Sequence, residues 1–336
     1  MKAARLYGVR DLRVEDVPDP EPGPGEILIC IKACGVCPSD LRAYQGTRAA
    51  PGALPRTPGH EWSGIVVGLG EGVTEVQVGD RVVPDWRVVC GKCFNCRRGV
   101  FNYCTNLGRI RGGFAELGVA PATNVRKIPD HVSFEEAAFC EPLACCINGS
   151  QACRIGIGDD VAVVGCGPIG LQHVQLARVQ GARVIAVDLD ARRLEAARRL
   201  GAHDLVQVGD GDPVERVKAL TESRGADAVV VAVGDVKAIK QGIAMAGLNG
   251  RVQLFAGTYP PQEMPVDPNV VHYGQLVVTG SHDFTPHHFT TALKLIAYGI
   301  VDVKSLISHR FSLEQTQDAL ETTATRRGLK AMVHVD

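Results

Sequence analysis

Hydrophobic positions follow two patterns along this chain, and the pattern changes near residue 145. Before that point short apolar runs such as EILICIKAC, WSGIVVGLG and DRVVPDWRVV are broken by Gly and Pro clusters, which predicts an antiparallel β domain. From Asp160 onward the apolar strands VAVVG, RVIAVD, AVVVAVG, RVQLFAG and LVVTGS alternate with helical stretches, the pattern of a doubly wound parallel sheet. The fold class is therefore α/β, with a second, mainly β domain. The helix ARRLEAARRL carries an apolar stripe and a basic face, read as solvated surface. Near the end, HFTTALKLIAYGIVDVKSLISHRFSLEQTQDALE predicts helix, short strand and helix. The apolar RVQLFAG run is expected at a sheet edge, where unpaired backbone invites a second chain. No internal repeat or low-complexity tract interrupts the pattern.

Composition narrows the functional classes. With 336 residues the chain exceeds one small core, so two domains are expected. The 36 basic and 37 acidic side chains nearly cancel, which argues against nucleic acid or an anionic membrane and for a small, roughly neutral partner. No apolar run reaches the ~20 residues of a membrane span, and MKAARLYGVRDLRVEDVPDP lacks the apolar core of a signal peptide. The expected location is the cytoplasm, where twelve cysteines imply metal or catalysis rather than a disulfide framework.

Four of those thiols stand together in CGKCFNCRRGVFNYC. Cys90, Cys93, Cys96 and Cys104 have the close spacing from which one loop presents four thiolates to a tetrahedral Zn²⁺. Gly91 and Gly99 help the loop turn, and Lys92, Arg97 and Arg98 temper its negative charge. Four protein ligands leave no open position, so such a zinc clamps a loop and performs no chemistry.

Chemistry needs a second ion with a vacancy. ACGVCPSD, TPGHEWSG and FCEPLACC supply Cys37, His60, Glu61 and Glu141. His60 and Glu61 are adjacent, so both can face one ion only if the backbone bends, as Pro58 and Gly59 permit. Glu141 lies among apolar neighbours, where an ion would relieve the cost of an unpaired carboxylate. Taken singly, each also fits a duller role: a buried cysteine, a hydrogen-bonded histidine, a helix-start glutamate.

A dinucleotide signature opens the second domain. In VAVVGCGPIGLQHVQLA, Gly165, Gly167 and Gly170 form G-x-G-x-x-G around Pro168 and Ile169, where bare backbone lets a pyrophosphate approach a helix N-terminus. The next strand, RVIAVD, ends in Asp188, close to the spacing of a ribose-binding acid. A carboxylate there accepts from the ribose hydroxyls and repels a 2′-phosphate, which favours NAD over NADP. Arg192 and Arg193 argue the other way, since a nearby arginine can hold that phosphate.

Together, CGVCPSD, GHEWSG, CGKCFNCRRGVFNYC, EPLAC and VVGCGPIG resemble, in order, the zinc-containing medium-chain dehydrogenase/reductase family, over about Lys2 to Val335. The GHE and EPL segments look most like the polyol branch of sorbitol, iditol and threonine dehydrogenases. The resemblance implies a GroES-like catalytic domain over 1–145, a Rossmann domain over 146–284, and a C-terminal segment, 285–336, returning to the catalytic domain. It implies two zinc ions per chain and a homodimer or homotetramer. By position, Cys37, His60 and Glu61 or Glu141 would hold the catalytic zinc, with one glutamate exchanging for water. Ser39 would pass the substrate proton onward, and the cofactor site would include Arg193. Where many members continue the relay with a histidine, this chain has Arg42, so the relay runs through water or a cofactor hydroxyl, or Arg42 contacts the substrate, or it is a surface arginine. Tyr44 and Arg109 line the pocket or pack at its rim.

The implied reaction is hydride transfer between a secondary alcohol, of polyol, sugar or cyclitol type, and NAD in a dry cleft between the domains, with zinc lowering the alcohol's pKa. An amino-alcohol or threonine dehydrogenase is the alternative within the family. A zinc-free enone reductase would not need Cys37, His60, Glu61 and Glu141, and a non-catalytic NAD-binding scaffold would leave them idle.

Overall fold

The strand Glu26–Gly35 organises the first part of the structure, a computed structural model describing residues 1–47, 54–110 and 112–335. Its burial alternates: Ile27, Ile29, Ile31 and Ala33 are fully buried, whereas Leu28, Cys30 and Lys32 are not. It pairs antiparallel with Glu61–Leu69, Leu117–Pro121 and Lys330–His334. The seven-stranded sheet extends through Arg81–Pro84 and Val125–Lys127 on one side and Ile307–Ser312 on the other. One pair is parallel, Ile307–Ser312 with Lys330–His334, so the sheet is mixed rather than purely antiparallel. The expected run DRVVPDWRVV divides into Arg81–Pro84 and Arg87–Val88. Asp85 and Trp86 leave the ladder after Pro84, which has no N–H to donate.

The second part is a six-stranded parallel sheet. Its spatial order is Asp204–Gln207, Arg183–Asp188, Asp160–Val164, Ala226–Val231, Ala246–Leu254 and Val277–Gly280. Numbered along the chain this is 3-2-1-4-5-6, the doubly wound order whose direction reverses beside Asp160–Val164. That strand is buried at every position, as a central parallel strand covered on both faces must be. Asp204–Gln207 was not among the expected strands; its four residues, DLVQ, are too few and too polar to signal one. RVQLFAG is not the sheet edge. Ala246–Leu254 is flanked on both sides, and Val277–Gly280, with Val277 and Val278 exposed, forms the edge instead.

Two compact units result: 1–142 with 285–299 and 303–336, and 143–284 with 300–302. Each has its own apolar core, the first around Ile29, Trp62, Phe114 and Leu320, the second around Ala162, Ile185, Val229 and Ile243. Among the described residues no helix is long and apolar enough to cross a membrane.

Candidate active site and cofactor site

Cys37 precedes the helix Pro38–Tyr44 and caps it. Its Sγ accepts from the Ser39 N–H at 3.5 Å, while Asp40 Oδ2 accepts the Cys37 N–H at 3.2 Å, a reciprocal capping box. The same arrangement therefore fixes the thiol and buries Asp40 beneath it. Asp40 Oδ1 accepts from the Gly59 N–H at 3.3 Å and lies 3.5 Å from His60 Nδ1. Gly59 supplies the bend the sequence required. Its φ is +93°, and a Cβ there would press on Phe114 N at 2.9 Å and Cys34 Sγ at 3.0 Å. His60 thus stands just outside the strand Glu61–Leu69, and its ring reaches the same point as the Glu61 carboxylate.

Ligand atoms of Cys37, His60 and Glu61 lie within 4.8 Å of one another. Sulfur, imidazole nitrogen and carboxylate oxygen are the zinc donor set, and Zn²⁺ at bond lengths of about 2.0–2.3 Å spaces its donors by a comparable distance. The residues therefore fit the ion. Because Nδ1 faces Asp40, Nε2 is the nitrogen turned to the site, and Glu141 Oε1 lies 3.8 Å from it. Glu141, in the first turn of Cys140–Cys153, accepts the indole N–H of Trp86 at 3.0 Å. The electrostatics favour charge here despite burial. Burial opposes ionisation of His60, but Asp40 and Cys37 outweigh it and raise His60 well above the usual histidine range. Asp40 in turn is lowered, burial being overcome by His60 and two backbone N–H groups.

Three contributors escaped the sequence reading. Lys330, on the last strand, forms a buried ion pair with Glu61. Burial opposes its charge, yet Glu61 raises its pKa above the ordinary lysine value. Nothing near residue 330 signals this, because the pair spans 269 residues of chain. Asp40 was visible in principle: it stands three residues after Cys37, at capping-box spacing. Trp86 had no periodic signal. Ser39 is partly buried beside Cys37, and Arg42, three residues on, lies along the same side of that helix. Tyr44 belongs to the core, 2 % exposed, with its hydroxyl paired to Glu321. Arg109 is exposed, its guanidinium 5.9 Å from the Trp86 ring centroid.

The four loop thiols also converge, with Cys90, Cys93, Cys96 and Cys104 sulfurs within 4.8 Å of one another. Cys93 caps the short helix Phe94–Arg97 by accepting the Cys96 N–H at 3.4 Å, and Cys104 accepts the Cys90 N–H at 3.4 Å. Backbone N–H groups of Cys96 and Thr105 lower the Cys93 thiol to about 5, whereas burial pushes Cys96 up to about 12. Amide donors aimed at sulfur and a tetrad of thiols suit a four-coordinate zinc.

In the second unit Asp160–Val164 runs into Gly165, with φ +92°, and Gly167 caps the helix Pro168–Val179 without any side-chain hydrogen bond. A Cβ at Gly170 would overlap the Gly165 carbonyl, whereas one at Gly167 would meet nothing within 4 Å. The first glycines make the turn compact, and the open space over Gly167 faces bare helix N–H groups, a fit for a pyrophosphate. Pro168, at N1, lacks the N–H that would be unpaired there, and Ile169 follows it in the first turn. Asp188 ends its strand with Oδ2 accepting the Cys166 N–H at 2.6 Å and Oδ1 the Asp190 N–H at 2.8 Å. It braces the glycine turn and retains lone pairs for further donors. Arg192 is engaged with Asp190 at 2.7 Å, and Arg193 lies close enough to Cys166 to act on it electrostatically.

Comparison with known proteins gives a consistent result. Residues 23–130 match the alcohol dehydrogenase GroES-like domain, and residues 168–298 the zinc-binding dehydrogenase domain. The chain is 32 % identical to sorbitol dehydrogenase of Bacillus subtilis over 99 % of its length and 97 % of the relative's. It is 35 % identical to L-threonine 3-dehydrogenase of the same organism, covering 91 % of this chain and 90 % of that one. A zinc-binding dehydrogenase from Sinorhizobium meliloti 1021, bound to NADP, superposes with a TM-score of 0.93 at 34 % identity, covering 99 % and 98 % of the two chains. Sequence similarity along nearly the whole length, a GroES-like unit and a doubly wound unit place the chain in the zinc-containing medium-chain dehydrogenase/reductase family, oxidoreductases that act on CH–OH groups with NAD(P).

Proposed function

We propose that this protein exchanges a hydride between NAD and a secondary alcohol of polyol, sugar or cyclitol type, with one zinc at Cys37, His60 and a glutamate and a second in the four-thiol loop. The observation that carries this reading is the convergence of Cys37, His60 and Glu61 within 4.8 Å. Zinc bound there supplies the Lewis acidity that lets a hydroxyl lose its proton near neutral pH. The protein's own residues do the rest. Asp40 fixes the His60 ring so that Nε2 is the donor, and Lys330 holds the Glu61 carboxylate in a buried ion pair. Ser39 receives the alcohol proton at its hydroxyl and passes it toward solvent, with Arg42 next on the same side of the helix. The loop of Cys90, Cys93, Cys96 and Cys104 has a scaffolding role.

Gly165, Gly167 and Gly170 with the helix N-terminus at Pro168 would hold the pyrophosphate, and Asp188 and Arg193 the adenosine ribose. The buried Asp188 carboxylate and the Asp190–Arg192 pair support NAD over NADP. The exposed edge Val277–Gly280 supports a homodimer or homotetramer formed by strand pairing. The working location is the cytoplasm, in keeping with twelve free thiols.

The test combines metal analysis with a substrate panel. Two zinc ions per chain and NADH formation with polyols, sugars or cyclitols are the expected results. Preference for threonine or another amino alcohol would move the enzyme to the branch of its threonine dehydrogenase relatives. In His60→Ala one zinc should be lost, NADH should still bind, and turnover should fall by several orders of magnitude. A variant that keeps both ions and normal turnover refutes the site.

A further inference from the structure

Trp86 occupies a position prepared at unusual cost. Its neighbours Asp85 and Arg87 are 2 % and 1 % exposed and form an ion pair with each other, Nη2 to Oδ2 at 3.3 Å. The Arg87 N–H also donates to Asp85 Oδ1 at 3.1 Å. Asn124 Nδ2 donates to the carbonyls of Asp85 and Arg87 at 2.8 and 2.7 Å, the Asp85 N–H donates to Asn124 O at 2.9 Å, and the Ile110 N–H donates to Trp86 O at 2.7 Å. Burying a charge pair there stabilises little by itself, so its effect is to hold the backbone of the residue it straddles.

That residue reaches the metal position. The indole N–H donates to Glu141 Oε1 at 3.0 Å, and the same oxygen lies 3.8 Å from His60 Nε2. The ring meets His60 edge-on at 5.8 Å between centroids. An indole carries one donor and no acceptor, so it can hold a carboxylate oxygen but cannot ligate an ion. A hydrogen bond to that oxygen draws electron density from it and makes it a poorer metal donor.

We propose that Trp86 is a positioning residue for Glu141: its N–H holds Oε1 beside the zinc position while keeping that carboxylate a weak, readily exchanged donor. This rests on the reading of Cys37, His60 and a glutamate as the catalytic zinc site.

The experiment uses the full-length protein. Wild-type metal content comes first: absence of an ion at Cys37 and His60 defeats the underlying reading, independently of Trp86. Metal-free protein then tests the contact itself, since Glu141→Ala should shift the emission of Trp86, one of only two tryptophans. In zinc-loaded Trp86→Phe, which keeps an aromatic ring, the carboxylate should bind the ion more firmly. Release to a chelator should slow and kcat should fall, each roughly tenfold, with the KM for NAD unchanged. The cobalt-substituted variant should show altered d–d absorption. Trp86→His, which retains an N–H, should recover most of the loss, and Trp86→Phe should have no further effect in a Glu141→Ala background. Unchanged emission in Glu141→Ala, unchanged release and kcat in Trp86→Phe, equal impairment in Trp86→His, or additive effects in the double variant would each overturn the assignment.

Discussion

Replacing Lys330 with methionine isolates the buried pair beside the candidate zinc site. Lys330 is 6 % exposed and Glu61 2 %, so removing the ammonium leaves a carboxylate in an apolar wall with its principal cation gone. Breaking one partner of such a pair costs about 3–5 kcal/mol. For a unit of 150–250 residues each kcal/mol lowers Tm by ~2–4 °C, so metal-free Lys330→Met should melt roughly 6–20 °C below metal-free wild type. The zinc-loaded variant should lose clearly less, because an ion facing Glu61 replaces part of the missing charge. Adding Glu61→Gln to the metal-free variant should recover most of the loss, since a neutral amide no longer needs a counter-charge. Calorimetry or circular dichroism, with and without chelator, reads all five states, zinc-loaded wild type included. A metal-free Lys330→Met that melts within about 2 °C of wild type would refute the argument, as would an equal loss in zinc-loaded protein.

Three other substitutions test separate parts of the molecule. Cys96→Ser should remove one zinc and lower stability while the surviving fold keeps some activity; metal analysis showing unchanged content would sink the loop assignment. Asp188→Ala should weaken NAD far more than NADP in kinetic assays, though some loss for both follows from its two backbone contacts to Cys166 and Asp190. His173 is fully buried, neither ring nitrogen is hydrogen-bonded to any of the described residues, and burial lowers its pKa to about 3. Its folded pKa lies below the unfolded one, so the unfolded chain takes up the proton first and stability is lost as pH falls below ~6.5, by up to about 1.4 kcal/mol per unit. His173→Phe, which keeps the ring beside Phe255, should flatten Tm between pH 7 and 5 relative to wild type. An unchanged slope would show that the proton uptake lies elsewhere.

What the sequence revealed and what it hid divide along physical lines. Five of the six parallel strands were legible because burial makes runs such as VAVVG uniformly apolar, whereas the polar DLVQ strand was not. The four thiols and the glycine turn were legible because their parts lie within one loop, so spacing encodes geometry. The DRVVPDWRVV break was legible only in part: Pro84 marks it, but the path beyond depends on Asn124 and on an Asp85–Arg87 pair whose burial no local pattern announces. RVQLFAG looked like an edge because apolar content does not say which strand is last. The candidate site residues were named from short motifs. Their supports were missed where the partner is distant, as with Lys330, or where one residue has two roles, as Asp40 has in capping a helix and facing His60.

The place of Lys330 also bears on how the protein is made. The strand Lys330–His334 enters the first sheet between Ile307–Ser312 and Glu26–Gly35, so a ribosome has passed codon 330 before Glu61 meets its counter-ion. Every segment of the doubly wound unit has emerged by then and has its core residues in hand, whereas the sheet bearing Cys37 and His60 still lacks an internal strand. The sheet beside the candidate site is therefore completed after the doubly wound unit has been synthesised. A message cut short before codon 330 yields a doubly wound unit attached to a first sheet that lacks an internal strand and carries an unpaired edge, a form open to proteolysis.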